Sequence, residues 1–186
     1  MSQAQALPEQ MPHSQADQWR QAFDLSFAAA PRDVVLVQHD FLAVRIGASD
    51  YALRLDEVAG LQTLKALTPC PSRQRGLLGL VSFQGDVLPI YDLCALLGHA
   101  PAAGPARLPG WWIATKGAPL GLAFDTFERF LRLPPEAVGH AGDTDARAHC
   151  AETLRCDERL RPLISIASIL RDIRATVQAQ QPPQLS

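Results

Sequence analysis

The chain states one passage twice, and a duplicated text restricts a fold more than any single motif, because both copies must form the same kind of unit. Pro89-Ile90-Tyr91-Asp92-Leu93-Cys94-Ala95-Leu96-Leu97 lies over Pro162-Leu163-Ile164-Ser165-Ile166-Ala167-Ser168-Ile169-Leu170 at an offset of 73 residues. Tyr51-Ala52-Leu53-Arg54-Leu55-Asp56-Glu57-Val58 lies over Leu120-Gly121-Leu122-Ala123-Phe124-Asp125-Thr126-Phe127 at an offset of 69. Phe41 to Gly47 lies over Trp111 to Gly117 at an offset of 70. Three matches in one order at nearly one offset predict two similar halves. None of the matched positions reads as catalytic equipment.

Each half is written in short β segments. Phe41 to Ile46 is apolar and β-branched or aromatic, as is Val34 to Val37, and Gly47-Ala48-Ser49-Asp50 reads as a hairpin turn. In Tyr51 to Leu55 the odd positions are apolar and Arg54 faces the other way, the pattern of a half-buried strand. Gly76 to Phe83 and Val87 to Leu93 flank Gln84-Gly85-Asp86, the turn of a second hairpin. Pro89 cannot donate to a ladder, so it belongs at an edge or bulge. Leu93 to Leu97 predicts a helical turn closed by Gly98. Ala100 to Gly110, rich in proline and glycine, reads as a linker between the halves.

The second half repeats the pattern through Trp111 to Ala114, Leu120 to Leu133 and Leu160 to Ile166, with a loop over Gly139 to Asp145. A final helix begins near Ser165 or Ser168, since Ile166, Ile169, Leu170, Ile173 and Val177 share one face. Many short strands separated by turns predict a mainly β fold of small barrels or sandwiches.

The organisation that follows is a disordered tail over residues 1–17 and a short amphipathic helix over 18–33, with Trp19, Phe23 and Phe27 on one face. The folded domain spans residues 34–177, its linker lies at about 99–110, and a polar tail closes the chain over 178–186. At 186 residues with 47% apolar content, a core of one domain or two intimate subdomains is affordable.

A net charge of −2 and a pI near 6.2 predict no nucleic-acid partner. The longest apolar runs, such as Leu77 to Val81, fall far short of the roughly 20 residues a membrane helix needs. Met1 to Pro8 lack a basic segment and an apolar run, so a cytoplasmic protein without membrane insertion is expected. Cys70, Cys94, Cys150 and Cys156 form no Cys-x-x-Cys pair and are expected as reduced, partly buried thiols. His140, His149, Cys150 and Cys156 match no usual zinc spacing, and the adjacent His149 and Cys150 point apart on any regular element, so no metal is expected.

The catalytic motifs are equally sparse. The sequence holds neither a Gly-x-Ser-x-Gly elbow nor a phosphate-binding glycine loop, and its acid pairs, such as Asp56-Glu57, read as solvated turns. The expectation is a binding module without enzymatic activity or cofactor.

The run Gly76-Leu77-Leu78-Gly79-Leu80-Val81-Ser82-Phe83-Gln84-Gly85-Asp86-Val87-Leu88-Pro89-Ile90-Tyr91-Asp92-Leu93 resembles the central signature of the CheW-like family. Phe41 to Gly47, Tyr51 to Leu55, Val58, Leu67 to Pro71 and Asp157 to Ile164 fall in that family's order, so the resemblance covers about residues 34 to 175. It implies two intertwined SH3-like five-stranded β-barrels with short helices and a C-terminal helix. It also implies an adaptor tethering the regulatory domain of a CheA-type histidine kinase to the cytoplasmic tips of chemoreceptors, in a chemosensory or surface-motility pathway such as one driving a type IV pilus.

The partner-binding residues implied by the resemblance are Val58, Gly60, Val81, Phe83, Gln84, Gly85 and Asp86. Two of them depart from the family pattern. Gln84 stands where the family usually has an Arg, and Gly60 where many members carry an acid, so that if those two family residues form a charge pair in the receptor-facing region, both of its members are missing here. Two readings of these positions stand: an altered partner surface, or Phe83 as core and Gln84 as a plain turn residue. Two alternative functions also stand, a divergent inhibitor binding only kinase or receptor, and a small-ligand-binding β module.

Overall fold

The computed structural model describes residues 37–100, 108–141, 148–157 and 159–180. The expected N-terminal tail, the Trp19/Phe23/Phe27 helix, most of the segment Val34 to Val37, the centre of the linker and the end of the C-terminal tail lie outside the described residues. From the N-terminus the strands are β1 (His39–Ile46), β2 (Ser49–Arg54), β3 (Val58–Thr63), β4 (Leu77–Phe83) and β5 (Asp86–Asp92), followed by the single-turn helix α1 (Leu93–Leu96). The second series is β6 (Trp111–Thr115), β7 (Gly121–Phe124), β8 (Thr126–Leu133), β9 (Val138–His140), β10 (Glu152–Cys156) and β11 (Arg159–Ile164), followed by α2 (Ile166–Gln180). Short 3₁₀ turns at Leu55–Glu57 and Pro135–Ala137 precede β3 and β9.

The strands form two sheets, and each sheet takes strands from both halves of the chain. One has the order β8-β1-β2-β11-β10-β9, the other β3-β6-β7-β5-β4. Replacing each strand by its counterpart in the other half converts one pairing scheme into the other, except that β9 has no counterpart strand and the single bridge between Thr68 and Leu80 stands in its place beside β4. The hairpins β1·β2 and β6·β7 correspond, as do β4·β5 and β10·β11. The antiparallel pair β1·β8 matches β3·β6, and the parallel pair β2·β11 matches β5·β7.

The correspondence holds residue by residue in the parallel ladders. Leu163 and Ile164 face Ala52 and Leu53, while Ile90 and Tyr91 face Gly121 and Leu122, which are the same two pairs under the sequence offsets of 73 and 69. Both copies also carry an extra residue at matching places, Ala59 in β3 and Glu128 in β8, where the register shifts against β6 and β1.

The duplication explains a proline in an interior strand. β5 lies between β4 and β7, yet its ladder with β7 starts only at Ile90, one residue after Pro89. Pro162 likewise precedes the first β11·β2 pair at Leu163. Each proline therefore sits where its strand has a neighbour on one side only, so no ladder bond is lost.

The helices follow their sequence signals. Asp92 caps α1 by accepting the Cys94 N–H at 2.9 Å, and Gly98, at φ +77°, closes its end. Ser165 accepts the Ser168 N–H at 3.2 Å at the start of α2, and Ile166, Ile169, Leu170 and Ile173 are buried. Each such side chain contributes about 1.5–3 kcal/mol by leaving water. They join Leu42, Val44, Tyr51, Leu53, Ile113, Leu122 and Phe124 in the main core, fed by both halves. Smaller clusters line the five-stranded sheet (Val81, Leu88, Ile90, Trp112, Ala114, Ala123) and the six-stranded sheet (Phe41, Ala52, Leu154, Leu163).

Three details differ from the sequence reading. Val58–Thr63 and Glu152–Cys156 are strands that the local pattern does not announce, and Gly139 and His140, expected in a loop, end β9 through pairing with Thr153 and Glu152. In addition, α2 runs on to Gln180, past the residue at which its apolar stripe fades.

Candidate docking surface

The β4–β5 hairpin turns on two residues, Gln84 at φ +52° and Gly85 at φ +93°. Two successive positive φ values give the turn a twist that matches paired strands. Gly85 meets that demand without cost, whereas Gln84 carries a β-carbon in the left-handed region, at about 1–2 kcal/mol. Gln84, Gly85 and Asp86 are exposed at the tip, and Val87 beside them is 66% exposed.

Phe83 turns inward from the same hairpin. Its ring meets Trp112 edge-on at a centroid distance of 5.4 Å and lies over Gly60 of β3. Val81, 8% exposed, belongs to the same cluster. Val58 does not join this group, being buried in the main core. The structure thus divides the expected site residues into an exposed tip (Gln84, Gly85, Asp86), an inner wall (Gly60, Val81, Phe83) and a separate core position (Val58).

Beside the inner wall lies a groove of about 550 Å³ that sequence reasoning did not find. It is lined by Leu61, Thr63, Lys65, Val81, Ser82 and Trp112 among others. Its walls are β3 and β4, the two edge strands of the five-stranded sheet. Behind it the chain crosses from β3 to β4, where Thr68 and Leu80 exchange main-chain bonds of 2.9 and 2.8 Å. The tandem Trp111-Trp112 was the available signal, but it reads as strand core until β3 pairs with β6.

A second, smaller hollow of about 150 Å³ involves Gln74, Arg75, Tyr91, His149, Asp172 and Thr176. The Tyr91 hydroxyl donates to Gln74 Oε1 at 2.7 Å. His149 Nδ1 lies 3.1 Å from the Ser168 hydroxyl, and its Nε2 lies 3.5 Å from the Asp172 carboxylate. The His149 carbonyl also accepts the Ser165 N–H at 2.8 Å. These bonds fasten the segment before β10 to the first turn of α2, which is a structural task. Among the described residues no group of His, Cys, Asp and Glu is arranged to hold a metal.

Charge on the six-stranded sheet is concentrated around Arg161, which is 6% exposed. It reaches Glu128 at 2.9 Å and Asp50 at 3.8 Å, and Arg45 reaches the same two acids at 3.0 and 3.4 Å. The bulge at Glu128 places its carboxylate between the two guanidinium groups. Arg161 Nη1 is buried without a hydrogen-bond partner among the described residues.

Glu57 sits in the turn before β3 near the main-chain N–H groups of Ile166 and Ala167 at the start of α2, and its Oε2 is buried without a hydrogen-bond partner among the described residues. Burial, then the neighbouring Asp56 carboxylate, raises its carboxyl above the ordinary value despite those amides. Burial raises Asp92 in the same direction.

Comparison with known proteins bears on the whole of this region. Residues 40–174 match the family model described as CheW-like domain. The chain is 25% identical over 136 residues to a probable chemotaxis protein CheW of Rhizobium etli, covering 72% of this chain and 88% of that protein. The crystal structure of the scaffolding protein TtCheW from Thermoanaerobacter tengcongensis has a similar fold. Its TM-score is 0.61 at 15% identity, over 70% of this chain and 90% of that one.

Proposed function

This chain belongs to the CheW-like domain family, and on that premise we propose that it is a non-enzymatic coupling protein of a chemosensory pathway. It holds the regulatory domain of a CheA-type histidine kinase against the cytoplasmic tip of a receptor. The single observation behind this reading is the family match across residues 40–174, which spans both sheets. The names of the two relatives, a probable chemotaxis protein and a scaffolding protein, support the same class.

In this role the protein works in the cytoplasm beside receptor arrays, and surface motility through a type IV pilus is one output such a pathway controls. The exposed Gln84, Gly85 and Asp86 meet the receptor, backed by Val81 and Phe83, while Val58 and Gly60 hold the opposing strand in place. Contacts of this kind are modest in area and reversible. No helix among the described residues is long and apolar enough to cross a membrane, which agrees with attachment through partners.

Light scattering on size-exclusion fractions tests the reading, using the full chain with its CheA-type kinase and a receptor cytoplasmic fragment. A ternary complex is expected. Binding to one component only replaces coupling by a second reading, a brake that occupies the kinase or the receptor. The neutral Gly60 and Gln84, at positions where the resemblance leads one to expect charge, favour that second reading. Binding to neither component removes both.

A further inference from the structure

We propose that the groove between β3 and β4 takes an extended peptide segment, apolar and acidic in character, from a partner protein, and adds it to the five-stranded sheet as a strand. The inference deepens the coupling reading and rests on it for the source of the segment.

The main chain of both walls is set for such pairing. Phe83 and Asp86 flank the two-residue turn, so they form a hydrogen-bonded pair and alternate pairs down the hairpin do not bond to each other. Ser82 and Leu80 therefore direct their N–H and C=O groups away from β5. Leu80 spends both on Thr68. Ser82, exposed and next in the same row, is left with the equivalent pair of groups facing the groove.

On the other wall, the Leu64 N–H bonds to Gly110 O at 3.0 Å on the β6 side. By alternation Gln62 shares that side, and Leu61 and Thr63 point their main-chain groups outward into the groove. Thr68 demonstrates that the β4 edge accepts an antiparallel partner, since the chain itself supplies one there. An incoming strand continues that row past Ser82.

Side chains define the occupant. The floor is Val81 and Trp112, so the residue directed inward is apolar. Lys65 stands exposed at the rim and carries no ion pair among the described residues, so it calls for a carboxylate on the guest. A helical guest keeps its own main-chain bonds and leaves the edge groups of Leu61, Thr63 and Ser82 unused. An extended guest satisfies them, the mode known as strand addition.

The test uses the full-length protein and 12-residue peptides tiling the CheA-type kinase and the receptor fragment, read by fluorescence anisotropy. At least one peptide with a carboxylate beside alternating apolar residues is expected to bind. Ser82→Pro removes the outward N–H without touching the β4·β5 bonds and is expected to weaken that peptide at least tenfold, while Ser82→Ala leaves it unchanged. Lys65→Glu is expected to weaken it several-fold at low salt and much less at high salt. Because Ser82→Pro can also disturb the hairpin, a second measurement places the change in the peptide. N-methylation in either alternating phase should weaken binding, because the N–H groups of one phase face Ser82 and those of the other face Leu61 and Thr63.

Binding indifferent to N-methylation in either phase, or full binding to a folded Ser82→Pro protein, overturns the proposal. A ternary complex formed while every peptide is silent also overturns it and leaves the coupling reading standing. Peptide binding that N-methylation weakens, without a ternary complex, keeps the groove and removes the coupling reading.

Discussion

The Phe83 ring occupies the space that a β-carbon on Gly60 requires, its Cζ lying 2.9 Å from the ideal Cβ position. The aromatic side chain on β4 and the missing side chain on β3 are thus one feature. It closes the interior of the five-stranded sheet and sets the Phe83 ring against any side chain placed at Gly60.

Gly60→Ala is accordingly expected to destabilise the protein by about 1–3 kcal/mol through overpacking. Most of that loss should vanish when Phe83→Leu is added, because the two positions share one volume. A double-mutant cycle from urea melts measures the coupling, and additive losses would show that the two residues act independently.

Gln84→Arg adds a charge at the hairpin tip without changing the backbone demand, since both side chains meet φ +52° at the same cost. Stability should stay within about 0.5 kcal/mol of the parent. Binding to the native partner should weaken, and unchanged or tighter binding would remove Gln84 from the partner surface. Gln84→Gly is expected to stabilise the hairpin by roughly 1 kcal/mol, read from the same melts.

Glu57 makes the fold sensitive to pH. Its folded carboxyl is raised above the ordinary value, so the folded state holds the proton more tightly than the unfolded state does. Stability from this group is therefore present at low pH and lost as pH rises from the ordinary glutamate range through the raised folded value. Asp92 acts in the same sense. Glu57→Gln keeps the shape of the side chain and removes the buried charge. Thermal melts across pH 4 to 8 should become flatter for this variant, with a higher Tm at neutral pH.

Arg161 holds two acids together from a buried position. Arg161→Ala leaves Glu128 facing Asp50 with one guanidinium fewer and is expected to cost about 3–5 kcal/mol. Arg161→Met, which fills the volume, should cost less once Glu128→Gln and Asp50→Asn accompany it. Denaturant midpoints at low and high salt check this, and a loss that salt erases would mark the cluster as exposed in solution.

Much of the fold was legible because the duplication is written in residues that set register. The offsets at Pro89/Pro162 and at Ala52/Gly121 anticipate which residues meet in the two parallel ladders. The Ile166 to Val177 stripe likewise gave α2. What stayed hidden was β3, because Val58-Ala59-Gly60-Leu61-Gln62-Thr63 has weak strand propensity and is extended only through its partner β6. The groove stayed hidden for the same reason. Leu61 and Lys65 meet Val81 and Ser82 only after β3 and β4 take opposite edges of one sheet. The resemblance put the hairpin tip among the expected partner contacts, and one of the two sequence readings, Phe83 as core and Gln84 as a turn residue, matches the inward Phe83 and the exposed Gln84.

The exchange of strands between halves gives the molecule the topology of a swapped dimer joined into one polypeptide. Each half completes the other's sheet: β1 relies on β8, β6 on β3, and the parallel ladders join residues more than 100 positions apart at one site and about 30 at the other. Neither half has a sheet of its own to fall back on. Unfolding is therefore expected as a single transition, and a load placed on one sheet by one partner is borne by strands whose neighbours in sequence build the other.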